Sequence, residues 1–136
     1  MLLEICVDAL DSVAACAEGG ADRIELCASL TEGGLTPSAG MLSQARSIFP
    51  GEIAVMIRPR GGDFVYQPGE VAAMAADIEL ARDLGADAVV FGCLSPDGEI
   101  DVAMAECIGR TNCERRWQRA RHGIATHAGS RARPAA

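Results

Sequence analysis

The sequence predicts an α/β fold, a truncated (β/α)8 TIM barrel of about four parallel βα units. Three observations carry this. Short apolar runs rich in Ile and Val alternate four times with helix-like segments. The unit Glu18-Gly-Gly-Ala-Asp-Arg-Ile-Glu-Leu26 returns 65 residues later as Asp83-Leu-Gly-Ala-Asp-Ala-Val-Val-Phe91, a repeat of two βα units. A doubly wound sheet is the alternative, but no G-x-G-x-x-G follows the first strand.

The elements follow in order. Strand one is expected over Leu2–Val7. Helix one runs from Leu10 to Glu18, with Asp8 or Asp11 as N-cap and Gly19-Gly20 as its stop. Strand two covers Arg23–Cys27. A loop rich in Ser, Thr and Gly, Ala28–Pro37, leads into helix two over Ser38–Ile48. Pro50-Gly51 breaks the chain before strand three, Ile53–Ile57. The loop Arg58–Pro68 precedes helix three, about Gly69–Leu84. Strand four is Ala88–Gly92, and a fourth helix begins near Asp101.

Composition bounds the rest. The chain has 136 residues and 49% apolar residues, enough for one folded domain. A full barrel takes ~250 residues, so about half of one is expected here. Such a half leaves two parallel edges and an apolar interior uncovered, which predicts a homo-oligomer, loose packing or aggregation unless the tail covers them. Residues 1–109 hold 5 Arg against 18 acids. Residues 110–136 hold 7 Arg against one acid, and there is no lysine. The acidic body argues against nucleic acid or an anionic membrane as partner. The composition of residues 107–136, rich in Arg, Ala, Gly and His, is that of GC-rich DNA read out of frame. The domain is therefore expected over 1–106, followed by a divergent, frameshifted tail. No apolar run is long enough to span a membrane, and Glu4 interrupts the N-terminal one, so a cytoplasmic protein is expected. The six cysteines form no C-x-x-C pair and are read as thiols. Cys107, Cys113, His122 and His127 are wrongly spaced for a zinc finger.

Alternation along the strands selects one face: Glu4, Cys6 and Asp8, then Glu25 and Cys27, then Met56 and Arg58. Charges on an inward face need partners, and Glu4, Glu25 and Arg58 are expected to pair with one another at the C-terminal strand ends. Cys6 and Cys27, both two residues after a glutamate, are expected at matching steps of adjacent strands, which lie ~4.8 Å apart. Two thiolates converging on one soft ion suit Cu(I) better than Zn(II), with Met56 as a thioether neighbour. The plain alternative is two ordinary buried cysteines. Arg58, Arg60 and the glycine N–H groups of Arg58-Pro-Arg-Gly-Gly-Asp-Phe64 offer a cradle for a carboxylate or phosphate, with Asp63 as a base or a loop cap.

Three segments together, Glu4-Ile5-Cys6-Val7-Asp8, Gly20-Ala21-Asp22-Arg23-Ile24-Glu25-Leu26-Cys27 and Val55-Met56-Ile57-Arg58-Pro59-Arg60-Gly61-Gly62-Asp63-Phe64, resemble the copper homeostasis protein CutC family over about residues 1–106. The resemblance implies intracellular copper homeostasis through copper binding, with the family's proposed copper-binding cysteines falling on Cys6 and Cys27. It supplies no reaction. Two other readings stand beside it: a TIM-barrel enzyme acting on a small anionic metabolite, and a non-functional truncated copy.

Overall fold

The computed structural model describes residues 1–111. The expected divergent tail lies, from residue 112 on, outside the described residues. The chain runs β1 (Glu4–Val7), α1 (Leu10–Glu18), β2 (Arg23–Leu26), a 3-10 turn (Leu30–Glu32), α2 (Ala39–Ile48), β3 (Glu52–Met56), α3 (Pro68–Asp83), β4 (Ala88–Val90) and α4 (Val102–Thr111). The four strands form one parallel sheet in chain order, β1-β2-β3-β4. This sequential order is that of a barrel wall. A doubly wound sheet reverses direction part-way.

One face of the sheet carries the core. Val7, Ile24, Leu26, Ile53, Val55 and Ile57 alternate along the strands and pack against Val13 and Cys16 of α1, Leu42 and Ala45 of α2, and Met74 and Ile78 of α3. The period of two in the strands thus meets the helical stripes on one side only. The opposite face carries Glu4, Cys6, Arg23, Glu25, Ala54, Met56 and Val90, which register places side by side.

Local chemistry explains the boundaries. Ser38 caps α2, its Oγ accepting the Met41 N–H at 3.1 Å. α3 starts at Pro68, earlier than expected, because proline suits the first helical turn and the Glu70 carboxylate accepts the Gln67 N–H at 2.7 Å. Neither Asp8 nor Asp11 caps α1. The N-cap is Ala9, and Asp8 instead accepts the Leu30 N–H at 3.1 Å, holding the loop after β2. α4 runs through the residue-107 boundary to Thr111 and buries Ile108.

The sequence repeat is also a repeat of hydrogen bonds. Gly20 and Gly85 take positive φ, +74° and +91°, and turn the chain from helix to strand. Two residues on, Asp22 Oδ2 accepts the Leu3 N–H at 2.7 Å, and Asp87 Oδ2 accepts the Ile53 N–H at 2.9 Å. The backbone returns each bond, Asp22 N–H to Leu3 O at 3.1 Å and Asp87 N–H to Ile53 O at 2.9 Å. Each Gly-Ala-Asp therefore staples the start of its strand to the preceding one and sets the register. Asp87 also accepts Arg46 Nη1 at 2.9 Å. Asp87→Ala removes both side-chain bonds and is expected to cost roughly 1–3 kcal/mol, read as a lowered urea midpoint. An unchanged midpoint would remove the staple from the account.

Candidate functional site

The inward face and its C-terminal rim hold the residues singled out from the sequence, but not in the expected pairs. Parallel register sets Cys6 opposite Glu25, and Glu4 opposite Arg23. Cys27 lies just past β2, its N–H bonded to Val7 O at 3.0 Å. Cys6 and Cys27 therefore share a face of adjacent strands but stand two steps apart, not at matching steps. Counting from the glutamates misled, because Glu4 and Glu25 are themselves offset by two.

The charges sort to opposite strand ends. Glu4 is exposed at the N-terminal end of β1 and forms an ion pair with Arg23 Nε, while Arg23 Nη1 reaches Glu52 at 3.6 Å. Arg58 sits beyond the C-terminal end of β3. A pairing of Glu4 with Arg58 is ruled out by that separation along the strands. Arg23 went unnoticed as the partner of Glu4, although one more step of the alternation back from Glu25 reaches it.

Arg58 is 6% exposed and ties loops together. Its Nη1 donates to Glu32 O at 2.7 Å and Gly34 O at 3.2 Å, and its Nη2 donates to Gly62 O at 2.8 Å. Its backbone N–H is held by Thr36 Oγ1 at 2.8 Å, and its guanidinium stacks 4.6 Å from the Phe64 ring centroid. The loops after β2 and β3 are thereby clamped against each other. Arg60 is engaged in turn: Glu70 accepts its Nε at 2.5 Å, Asp63 lies 3.1 Å from Nη2, and Val65 O accepts Nη2 at 2.8 Å. The Asp63 carboxyl is held below its usual value by the Val65 N–H and then by Arg60. Asp63 is thus a loop cap, bonded to the Val65 N–H at 3.2 Å. These bonds occupy both Arg58 Nη groups and the Arg60 fork, while Arg58 Nε is buried without a partner.

The sulfurs are grouped more closely. Cys27 is fully buried, and its thiol donates to Val7 O at 3.5 Å. Gly34 takes φ +89°, and a Cβ built there would meet Cys27 Sγ at 3.5 Å and Met56 Cε at 3.6 Å. Cys27 and Met56 thus flank one point beneath the Gly34 backbone. Cys6 is exposed and hydrogen-bonded to the half-buried Glu25. Burial and then Glu25 push the Cys6 thiol up from its ordinary value. The same two causes, followed by Cys6 and Asp8, raise Cys27 to about 11. Both thiols are therefore protonated near neutral pH. Among the described residues, His, Cys, Asp and Glu side chains do not gather three or more around a point that would hold a metal, a count that leaves thioethers out.

A family model, that of the CutC family, matches residues 1–113. The chain belongs to the CutC family. It is 55% identical over 102 residues to a family protein CutC of Bacteroides fragilis, covering 74% of this chain and 41% of that protein. It is 53% identical over 100 residues to the human copper homeostasis protein cutC homolog, covering 74% of this chain and 37% of that one. Among solved structures, that of a CutC protein from Streptococcus agalactiae matches with a TM-score of 0.77 and 36% identity, over 84% of this chain and 56% of that chain. The truncated (β/α)8 barrel is thus the fold of this chain, which spans about two fifths of the length of those curated relatives. Among the described residues no helix is long and apolar enough to cross a membrane.

The clamp has a measurable consequence. Arg58→Ala leaves three loop carbonyls without their charged donor and should destabilise the fold by roughly 2–4 kcal/mol in urea unfolding. Arg58→Lys, which lacks the planar fork, should recover only part of it. Full recovery by lysine would mean that charge alone, not the forked geometry, holds the loops.

Proposed function

We propose that this chain serves copper homeostasis by holding Cu(I) on its inward sulfur face, with Cys27 and Cys6 as thiolate donors and Met56 as a thioether donor. The single observation that carries this is the sharing of one face by three soft donors on three consecutive strands, two of them flanking the point beneath Gly34. Thiolate and thioether select Cu(I) over harder ions, and a low-coordinate monovalent ion needs no fourth ligand. The human relative, a copper homeostasis protein cutC homolog, supports the same reading.

The chemistry sets a cost. Deprotonating Cys27, raised to about 11, costs about 5 kcal/mol at neutral pH. Thiolate–metal bonding at protein sites supplies about 10–16 kcal/mol in well-formed zinc sites, so a soft metal can offset that cost. The Cys27 thiol must leave Val7 O and the Cys6 thiol must leave Glu25, so binding is coupled to two proton losses and two local rearrangements. An anionic-metabolite enzyme would instead have to free Arg58 or Arg60 from the bonds described above, which weighs against it.

Cu(I) titration against a competing chelator tests the proposal. One equivalent is expected for the wild type, lost in Cys6→Ser/Cys27→Ser and weakened in Met56→Leu. Release of two protons predicts an affinity that falls about 100-fold per pH unit as pH drops below the thiol values. Gly34→Ala, which puts a methyl between Cys27 and Met56, should weaken binding too. Equal affinity in wild type and double serine variant, or a flat pH dependence, would refute the site.

A further inference from the structure

We propose that a second copy of this chain closes the sheet, with β4 of each copy pairing in parallel with β1 of the other, so that eight strands make one barrel. The proposal stands apart from the copper reading and needs no metal.

It starts from two free edges. Among the described residues, nothing pairs with the outer edge of β1 or of β4. The apolar residues of that region are uncovered: Leu3 is 47% exposed, Ile5 is 37% exposed, and Val102 at the start of α4 is 61% exposed. Leu3 and Ile5 belong to the helix-facing side, yet among the described residues they stand outside the core cluster. Parallel edges of this kind are normally covered on both faces.

The internal repeat says what fits there. β2 and β4 are equivalent through the 65-residue repeat, so Ile24 corresponds to Val89. Ile24 pairs with Ile5 and Val89 pairs with Val55, so β1 and β3 are equivalent too, with Ile5 answering to Val55. The hydrogen bonds agree: Asp22 receives Leu3 and Asp87 receives Ile53, the same equivalence shifted by one turn of the alternation. β2 takes β3 on its far edge, Ile24 opposite Ile53. β4 should therefore take a strand equivalent to β3 in the same register, and β1 of a second copy is such a strand. The register is then fixed. Val89 faces Leu3 of the other copy, Val90 faces its Glu4, and Phe91 faces its Ile5.

The faces match in that register. Val89, Phe91, Leu3 and Ile5 all point to the helical side, and Val90 and Glu4 point inward. α4 packs on α3 at the free flank of β4, where a right-handed crossover leaves it over the next strand. In the pair it would cover the other copy's Leu3 and Ile5. The contact repeats the register of the β2–β3 seam, and its twofold repetition closes without an open end. The inward face, where Cys6 is exposed in a single copy, would be enclosed.

Charge opposes the pairing, because residues 1–109 of each copy hold 18 acids against 5 Arg. Association driven by apolar burial against like charge should strengthen with added salt, the reverse of a salt-bridged interface.

The test uses the full, metal-free chain. Sedimentation should give a particle of twice the 14.2 kDa chain mass, increasingly populated with salt. Ile5→Lys should leave one copy with unchanged circular dichroism, whereas Leu80→Lys, on the exposed side of α3, should still pair. A photo-crosslinking residue in place of Leu3, in a mixture of light and heavy-nitrogen chains, should yield mixed-label products joined near Val89. Three results would overturn the proposal: a single-copy particle at all concentrations and salts, crosslinks confined to one chain (including those to residues 112–136), or assemblies that grow beyond two copies. A pair that survives Ile5→Lys would overturn it as well.

Discussion

Parallel register is the constraint on which everything else in this chain rests. With a side-chain period of two, a one-residue slip would carry the core set from Val7 to Ile57 to the open face and bring the charges against the helices. Asp22 and Asp87 prevent this by tying the first residue of each paired step through side chain and backbone at once. The two glycines with positive φ set each aspartate at the start of its strand. Core packing, the ion pairs at the strand starts and the sulfur face at the strand ends all follow from those two staples.

The inward face is divided by this register into two chemically different ends. At the N-terminal end, Arg23 is flanked by Glu4 and Glu52, one cation between two carboxylates across three strands. At the C-terminal end, burial and after it Glu25 raise both the Cys6 and the Cys27 thiol. Arg58, the nearest expected counter-charge, is spent on the carbonyls of Glu32, Gly34 and Gly62. A soft cation bound as proposed would meet thiols that are protonated at neutral pH, so proton release would be part of its binding.

The elements were legible because short β-branched runs alternate with helix-like segments up to β4. The two-unit repeat was legible in Gly-Ala-Asp alone. What the sequence did not disclose was pairing. Nothing in the alternation of Glu4 and Glu25 reveals the two-step offset between adjacent strands, which barrel stagger imposes. Asp8 was read as a cap for α1, but a long-range backbone donor, the Leu30 N–H, takes it. Arg58 and Arg60 were read as free donors, and only the fold shows that loop carbonyls and Glu70 claim them. Strand stagger and long-range competition for hydrogen-bonding groups are both invisible to a local pattern.

The most direct measurement is X-ray absorption on the Cu(I)-loaded full chain, which counts the atoms bound to the metal by element. The account predicts a first shell made only of sulfur, falling by one scatterer in Met56→Leu and by two in Cys6→Ser/Cys27→Ser where any copper remains. A first shell of nitrogen or oxygen, or a sulfur count indifferent to all three residues, would contradict it.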